Sequence, residues 1–242
     1  MKSVEVSIII VNYKTPKLTK DCVESIKKSL PKVPYEIIVI DNSIDNIGFA
    51  RANNKGIRKS KGKYILLLNS DTIIKKGALD KLYDFAKVHD DAGVVAPKLL
   101  NTDGSIQPSV FRFPTIAKAI EQYFFGQKGL LDKYVPAEGP EQGRRVEVAV
   151  MAAFLITPKA IEQVGLLNEK YFMYFEDFDY CRRVAKAGLK IYYLPTAEII
   201  HIHGASGGNS KYLIESAKKY QGFVGYYMYT FILWLGQKLN KL

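Results

Sequence analysis

The segment EDFDY at residues 176–180 sets Glu176, Asp177 and Asp179 among Phe172, Tyr174, Phe175 and Phe178. Carboxylates are costly to bury without partners, so acids amid aromatics imply that charge is needed there. Two features answer them: His201 downstream and, far upstream, the strand-like run LLLNSD that ends in Asn69, Ser70 and Asp71. One carboxylate and one imidazole can hold a divalent cation, while a second carboxylate can take a proton from a hydroxyl. The same acids would also suit the start of a helix, where they answer the macrodipole. His201 and His203 alternate with Ile200 and Ile202, so only one of the two histidines faces such a site, and His201 is the choice.

Bringing residues this far apart together needs a sheet whose strand ends converge. Residues 6–11 form a continuous β-branched run; Thr15 as cap and Pro16 in the first turn then start a helix, with Leu18, Cys22, Val23 and Ile26 at helical spacing. Strand-like runs recur at 35–40, 64–68 and 94–96, separated by helical patterns at 48–59 and 78–88. Unbroken apolar strands alternating with helices indicate an α/β domain, its mostly parallel central sheet covered by helices on both faces. Ligands of such sheets sit beyond the carboxyl ends of the strands, where Asn12 and Tyr13, Asp41 and Asn42, and Asn69 to Asp71 all fall. The second half reads as turn-rich at 101–114, a long surface segment at 127–145, one strand at 146–156, a helix between Thr157 and Gly165, another at 177–187, and a strand at 190–194.

A chain of 242 residues with 48% hydrophobic and 24% charged residues fits one large globular unit with a sizeable core. Cys22 and Cys181 share no metal-ligand spacing, which argues against a disulfide scaffold and for a reducing, cytoplasmic compartment. The amino-terminal apolar run is short and broken by Glu5, so neither a signal peptide nor a spanning helix is expected there. Net charge is +11, and Arg51, Lys55, Arg58, Lys59, Lys61 and Lys63 are unrelieved by any acid between them. An anionic partner follows, either a diphosphate or an acidic lipid. The absence of zinc-finger spacing or aromatic-interleaved basic motifs sets nucleic acid aside.

Seven ordered pieces, VSIIIVNY, IIVIDNS, NIGFARANNKGI, YILLLNSDT, GVVAPKLLNTDGS, KYFMYFEDFDYCRRVAKAG and AEIIHIHG, resemble glycosyltransferase family 2 over residues 4–205, and most closely its rhamnosyltransferase-like branch. Their order and spacing carry the resemblance. It implies the GT-A (Rossmann-like) fold and an inverting transfer of sugar from a nucleotide-diphosphate donor, of the dTDP-rhamnose or UDP-hexose type, to a hydroxyl of a glycan or lipid-linked acceptor. It places Asn12, Tyr13 and Asp41 at the nucleotide base, Arg51 and Asn54 beside ribose and diphosphate, and Asn69 and Ser70, in the Asp-x-Asp type motif that ends at Asp71, also among the nucleotide-binding residues. Asp71 and His201 become ligands of Mn2+ or Mg2+, Asp177 the catalytic base, and Glu176, Asp179 and Ala152 the acceptor side. A cation bridging two phosphates neutralises the charge that develops as the sugar leaves. A helix start would keep Asp177 ionised, whereas Glu176 and Asp179 would raise its pKa; the two effects oppose each other. Two departures from the family pattern, the short NSIDNI stretch after Asp41 and Asn69 in place of Asp, support an alternative: a nucleotide-sugar-binding or scaffold protein that has lost efficient catalysis.

Residues 1–215 are therefore expected to form the catalytic domain and residues 216–242 a helical tail. The stretch YQGFVGYYMYTFILWL at 220–235 is apolar and aromatic, with Lys218, Lys219, Lys238 and Lys241 around it. It is shorter than the roughly 20 residues that span a bilayer. An amphipathic helix lying at the inner face of the cell membrane fits, with lysines attracted to anionic lipid; docking on the body or a homodimer interface is the alternative. GASGGNS at 204–210 reads as a flexible lid over the donor.

Overall fold

The computed structural model describes residues 3–125, 131–136, 143–202 and 210–239. In chain order the elements are β1 (Val6–Asn12), α1 (Pro16–Lys28), β2 (Tyr35–Asp41), α2 (Phe49–Ile57), β3 (Tyr64–Asn69), β4 (Thr72–Ile74), α3 (Ala78–Val88) and β5 (Ala92–Leu100). There follow β6 (Val110–Phe111), α4 (Ile116–Phe124), β7 (Arg144–Val146), β8 (Val148–Ala149), β9 (Ala153–Ile156), α5 (Pro158–Val164), α6 (Glu176–Lys186), β10 (Lys190–His201), α7 (Ser210–Gln221) and α8 (Phe223–Leu239). The main sheet runs β2-β1-β3-β9-β5-β10-β4, with β7 also pairing with β10. β1 pairs in parallel with β2 and β3, and β5 with β10, whereas β9, β4 and β7 run against their neighbours. The five long strands thus share one direction.

Helices cover both faces because the strands are apolar on both. Ile8, Ile10, Leu66 and Leu68 point to one core with Cys22 and Ile26 of α1 and Leu79 and Leu82 of α3. Ile9, Ile65 and Leu67, one residue out of phase, point to the other with Ala50 of α2, Ala160 of α5 and Val184 of α6. Both cysteines are buried and free.

Three elements depart from the sequence expectation. The strand expected at 146–156 is broken into β8 and β9 by a turn at Met151 and Ala152, and this turn delivers Ala152 to the strand ends: its carbonyl accepts the Asn69 N–H at 2.9 Å. The strand expected at 190–194 continues to His201 through a register shift between Leu194 and Glu198. Thr15 does not cap α1 with its side chain; its hydroxyl pairs instead with Ser70 Oγ at 2.9 Å. Thr157 does cap α5, accepting the Ala160 N–H at 3.3 Å, and Gly165 closes it at φ 77°.

The tail boundary drawn at residue 216 falls inside α7. Ser216 is buried and donates to the Met173 carbonyl at 2.7 Å, and the Arg182 guanidinium sits 4.1 Å from the Tyr220 ring centroid. α8 packs on α4, with Gly236 close enough to Tyr123 that a Cβ would lie 2.3 Å from the Tyr123 Cβ. Among the described residues no helix is long and apolar enough to cross a membrane. His203 and most of the stretch read as a lid lie outside the described residues.

Candidate active site

The carboxyl ends of β1 and β3, the β6 region and the approach to α6 enclose a cavity of about 780 Å³. Tyr13, Asn69, Ser70, Asp71, Ala152, Glu176, Asp177 and His201 all line it. Asp71 and His201 are brought together by backbone pairing. β4 starts one residue after Asp71 and pairs antiparallel with the end of β10, with His201 opposite Thr72; the Ile202 N–H also donates to the Asp71 carbonyl at 2.8 Å. His201 Nε2 then stands 3.4 Å from Asp71 Oδ1, with both side chains almost buried.

A residue not singled out from the sequence fixes the imidazole. Gln107 donates through Nε2 to Asn101 Oδ1 at 2.8 Å and to the His201 carbonyl at 3.3 Å, so its Oε1, 2.7 Å from His201 Nδ1, is the acceptor. Nδ1 therefore carries the hydrogen. In the neutral ring this leaves the Nε2 lone pair beside a carboxylate oxygen, an arrangement that suits a shared cation. Among the described residues no group of three or more His, Cys, Asp or Glu side chains gathers to hold a metal. A cation here would draw its remaining ligands from substrate oxygens and water.

The opposite wall comes from the approach to α6. Tyr174 and Phe175 take left-handed conformations, φ 68° and 64°, at a cost on the order of 1–3 kcal/mol each. The turn they make presents Glu176 and Asp177 to the cavity at the first turn of α6. Asp177 accepts the Phe178 N–H at 2.9 Å. Burial pushes its carboxyl above the usual aspartate range, against that N–H and the positive Lys133. Burial, then the charge of Asp177, also pushes Glu176 up, and Glu176 Oε2 has no hydrogen-bond partner among the described residues. The shift of Asp177 is thus upward, but its main cause is desolvation rather than the charge of Glu176 or Asp179. The aromatic neighbours serve packing: Phe172 stacks on Tyr212, and Phe175 on Tyr220, of α7 at 4.5 and 5.2 Å.

Glu176 gives a stability test. Its folded-state pKa lies above the unfolded one, so the folded chain holds more protons across that interval and stability falls as pH rises through it. Glu176→Gln is expected to melt above wild type at mildly alkaline pH, by a margin on the order of 1–3 kcal/mol, and to converge with it in the acidic range. Parallel melting profiles across pH would refute a buried charge at this position.

Five further expected site residues stand apart from the cavity wall. Asn54 is fully buried and exchanges hydrogen bonds with the backbone of Leu167, accepting at 3.0 Å and donating at 2.8 Å. It also donates to Glu169, which pairs with Arg51 at 3.3 Å and Arg58 at 2.9 Å. Those bonds hold α2 to the loop before α6. Asp179 is similarly committed, 2.8 Å from Arg183 Nε and 3.8 Å from Arg182. Asp41 is exposed and accepts from Asn12 Nδ2 and the Ser43 N–H, while Asn12 Oδ1 accepts the Thr15 N–H at 3.1 Å. Asn12 and Asp41 thus shape the rim. Asn42, Asn46 and Gly48 line the cavity here instead. Gly48, at φ 87°, passes so close to Phe172 that a Cβ would lie 2.7 Å from its carbonyl oxygen, and only glycine tolerates both conditions.

The sequence model described as "Glycosyltransferase like family 2" matches residues 3–222. The chain belongs to this family. Its similarity to the low-salt glycan biosynthesis hexosyltransferase Agl10 of Haloferax volcanii is 30% identity over 226 residues, covering 81% of this chain and 67% of that protein. Similarity to an N-acetylglucosaminyl-diphospho-decaprenol L-rhamnosyltransferase of Mycobacterium tuberculosis is 30% identity over 149 residues, 60% of this chain and 48% of that one. The chain thus spans two thirds of the first relative and about half of the second. The crystal structure of GalNAc-T7 with UDP, GalNAc and Mn2+ superposes with a TM-score of 0.66 over 90% of this family 2 chain and 47% of the other, at 15% identity. At that identity the likeness establishes the GT-A fold alone.

Proposed function

We propose that this family 2 protein is an inverting, divalent-cation-dependent glycosyltransferase that moves a sugar from a nucleotide diphosphate to a hydroxyl of a lipid-linked acceptor. The observation that carries the reading is the convergence of Asp71, His201 and Asp177 on one cavity. Asp71 and His201 would hold Mn2+ or Mg2+, which supplies positive charge to the departing diphosphate. Asp177 takes the proton of the acceptor hydroxyl as its oxygen attacks the anomeric carbon. The sugar–phosphate bond breaks in the same displacement, so the configuration at that carbon inverts. Tyr13, Asn42 and Asn69, which line the same cavity, would receive the nucleotide.

A relative acting on a diphospho-decaprenol and another acting in glycan biosynthesis support a lipid-linked glycan as acceptor and a rhamnosyl or hexosyl donor. Membrane contact through α8 is supported by its outward stripe, where Phe223, Val224, Tyr227, Met228, Phe231 and Trp234 are all about half exposed or more, with Lys218 and Lys238 beside it.

The test is a panel of nucleotide sugars read by thermal shift with and without Mn2+. A matching donor at 100 times its Kd stabilises by about 2.7 kcal/mol, and the shift is expected to need the cation. No cation-dependent shift with any dTDP- or UDP-sugar would overturn the proposal.

A further inference from the structure

His201 is held by a turn that stands outside the cavity wall. Beyond β5 the chain reverses through residues 101–105: the Asn101 N–H donates to the Ser105 carbonyl at 2.8 Å and the Gly104 N–H to the Asn101 carbonyl at 3.0 Å, with Gly104 at φ 85°. Asp103-Gly104 is the turn signal in this stretch. On the way back Ile106 bridges antiparallel to Leu100, and the Gln107 N–H donates to the Leu99 carbonyl at 2.9 Å. Leu100 is also the partner of Ile200 in β10, so the reversal sets Gln107 beside the end of the strand that carries His201. Among the described residues at 99–107, Gln107 alone lines the cavity.

Four side-chain hydrogen bonds run back through this turn, and all point the same way. His201 Nδ1–H donates to Gln107 Oε1 at 2.7 Å, Gln107 Nε2 to Asn101 Oδ1 at 2.8 Å, Asn101 Nδ2 to Ser105 Oγ at 2.9 Å, and Ser105 Oγ to Asp103 Oδ1 at 2.6 Å. Turning either amide over would exchange donor for acceptor, but both ends of the chain oppose it, because a carboxylate and a carbonyl only accept. At one end Asp103 takes the Ser105 hydroxyl and N–H, which hold its carboxyl below the ordinary aspartate range. At the other, the His201 carbonyl takes Gln107 Nε2 at 3.3 Å. The opposite polarity would have a chemical consequence. With its hydrogen on Nε2, the neutral ring would donate to Asp71 Oδ1, 3.4 Å away, and the pair would close on itself until that proton left.

We infer that the Asn101–Ser105 turn is a positioning element for the cation: acting through Gln107, it keeps the His201 hydrogen on Nδ1 and so presents the Nε2 lone pair, beside Asp71, to a metal ion. The inference rests on Asp71 and His201 being the cation ligands and adds residues that never touch the cation. Hydrogen bonds aligned in one direction polarise one another, and the partner of one ring nitrogen decides which nitrogen can bind a metal.

The test reads the ring directly. The chain has three histidines, so long-range proton–nitrogen correlation spectra of the metal-free protein at mildly alkaline pH resolve the His201 ring, assigned by its loss in His201→Gln. Wild type is expected to carry the hydrogen on Nδ1. Asn101→Ala is expected to move a measurable share of it to Nε2 and to weaken Mn2+ binding, followed by electron paramagnetic resonance with UDP present, by about tenfold. Asn101→Asp still accepts from Gln107 but no longer donates to Ser105, and is expected to keep the wild-type ring and cation affinity; a turn that mattered only for local stability would give no such rescue. Should Asn101→Ala not fold, Ser105→Ala, which keeps the backbone bonds of the turn, decides in its place by a shift in the same sense. A hydrogen on Nε2 in wild type, a ring unmoved in the deciding variant, or an Asn101→Asp ring that follows Asn101→Ala overturns the inference. Wild type that binds no Mn2+ would overturn the cation reading of the pair and this role of the turn with it, whereas Mn2+ binding by wild type beside an unmoved variant overturns the inference alone.

Discussion

Asp177→Asn is expected to lower the rate of sugar transfer by about 10²–10⁴-fold, the usual contribution of a positioned general base, while nucleotide affinity stays near wild type. The amide keeps the size of the side chain and its acceptor oxygen for the Phe178 N–H, so the fold should persist and only proton acceptance is lost. The pH profile carries a second signature. Burial holds the Asp177 carboxyl above the ordinary aspartate range, so wild-type kcat/KM should begin to fall at a higher pH than an exposed aspartate would give. The raised value brings the base nearer to working pH, where it is a stronger proton acceptor. Initial rates of donor consumption across pH would decide; an Asn variant as fast as wild type would remove Asp177 from the chemistry.

Asp71→Asn should act on the cation rather than on the proton. With His201 Nδ1–H committed to Gln107, the cavity-facing atoms of the pair are an imidazole nitrogen and a carboxylate oxygen 3.4 Å apart. Replacing the carboxylate removes the one formal negative charge of that pair. Loss of outer partners alone costs about 10–100-fold in metal affinity, and loss of a direct ligand should cost at least as much. The segment already offers Asn69 where a second acid would add charge, so little remains to compensate. Titrating Mn2+ by electron paramagnetic resonance in the presence of the donor's nucleoside diphosphate reads this directly. Undiminished Mn2+ binding would show that the cation sits elsewhere.

The sheet and much of this site were legible because both depend on local pattern. Apolar runs marked β1, β2 and β3, and the polar residues ending β1 and β3 fell at one edge of the sheet, as parallel topology requires. What escaped depends on pairing between distant segments. Gln107 lies in a turn-rich stretch, and its importance comes only from reaching Asn101 and His201 together. The family resemblance set Arg51 and Asn54 beside ribose and diphosphate, whereas in the fold Glu169, more than a hundred positions away in sequence, pairs with both. β4 and α4 left signals that went unread: the β-branched run Thr72–Ile74, and Thr115, whose hydroxyl accepts the Lys118 N–H at 3.1 Å ahead of Ile116, Ala119 and Tyr123 on one helical stripe.

The short antiparallel ladder between β4 and β10 has a mechanical consequence. Asp71 precedes the first rung and His201 occupies it, so a displacement of either backbone carries the other along, and their spacing is insulated from motions of the surrounding loops. The spacing of Asp71 and His201 is thus set by the sheet itself, whereas that of Glu176 and Asp177 is set by the turn at Tyr174 and Phe175 and its packing on α7.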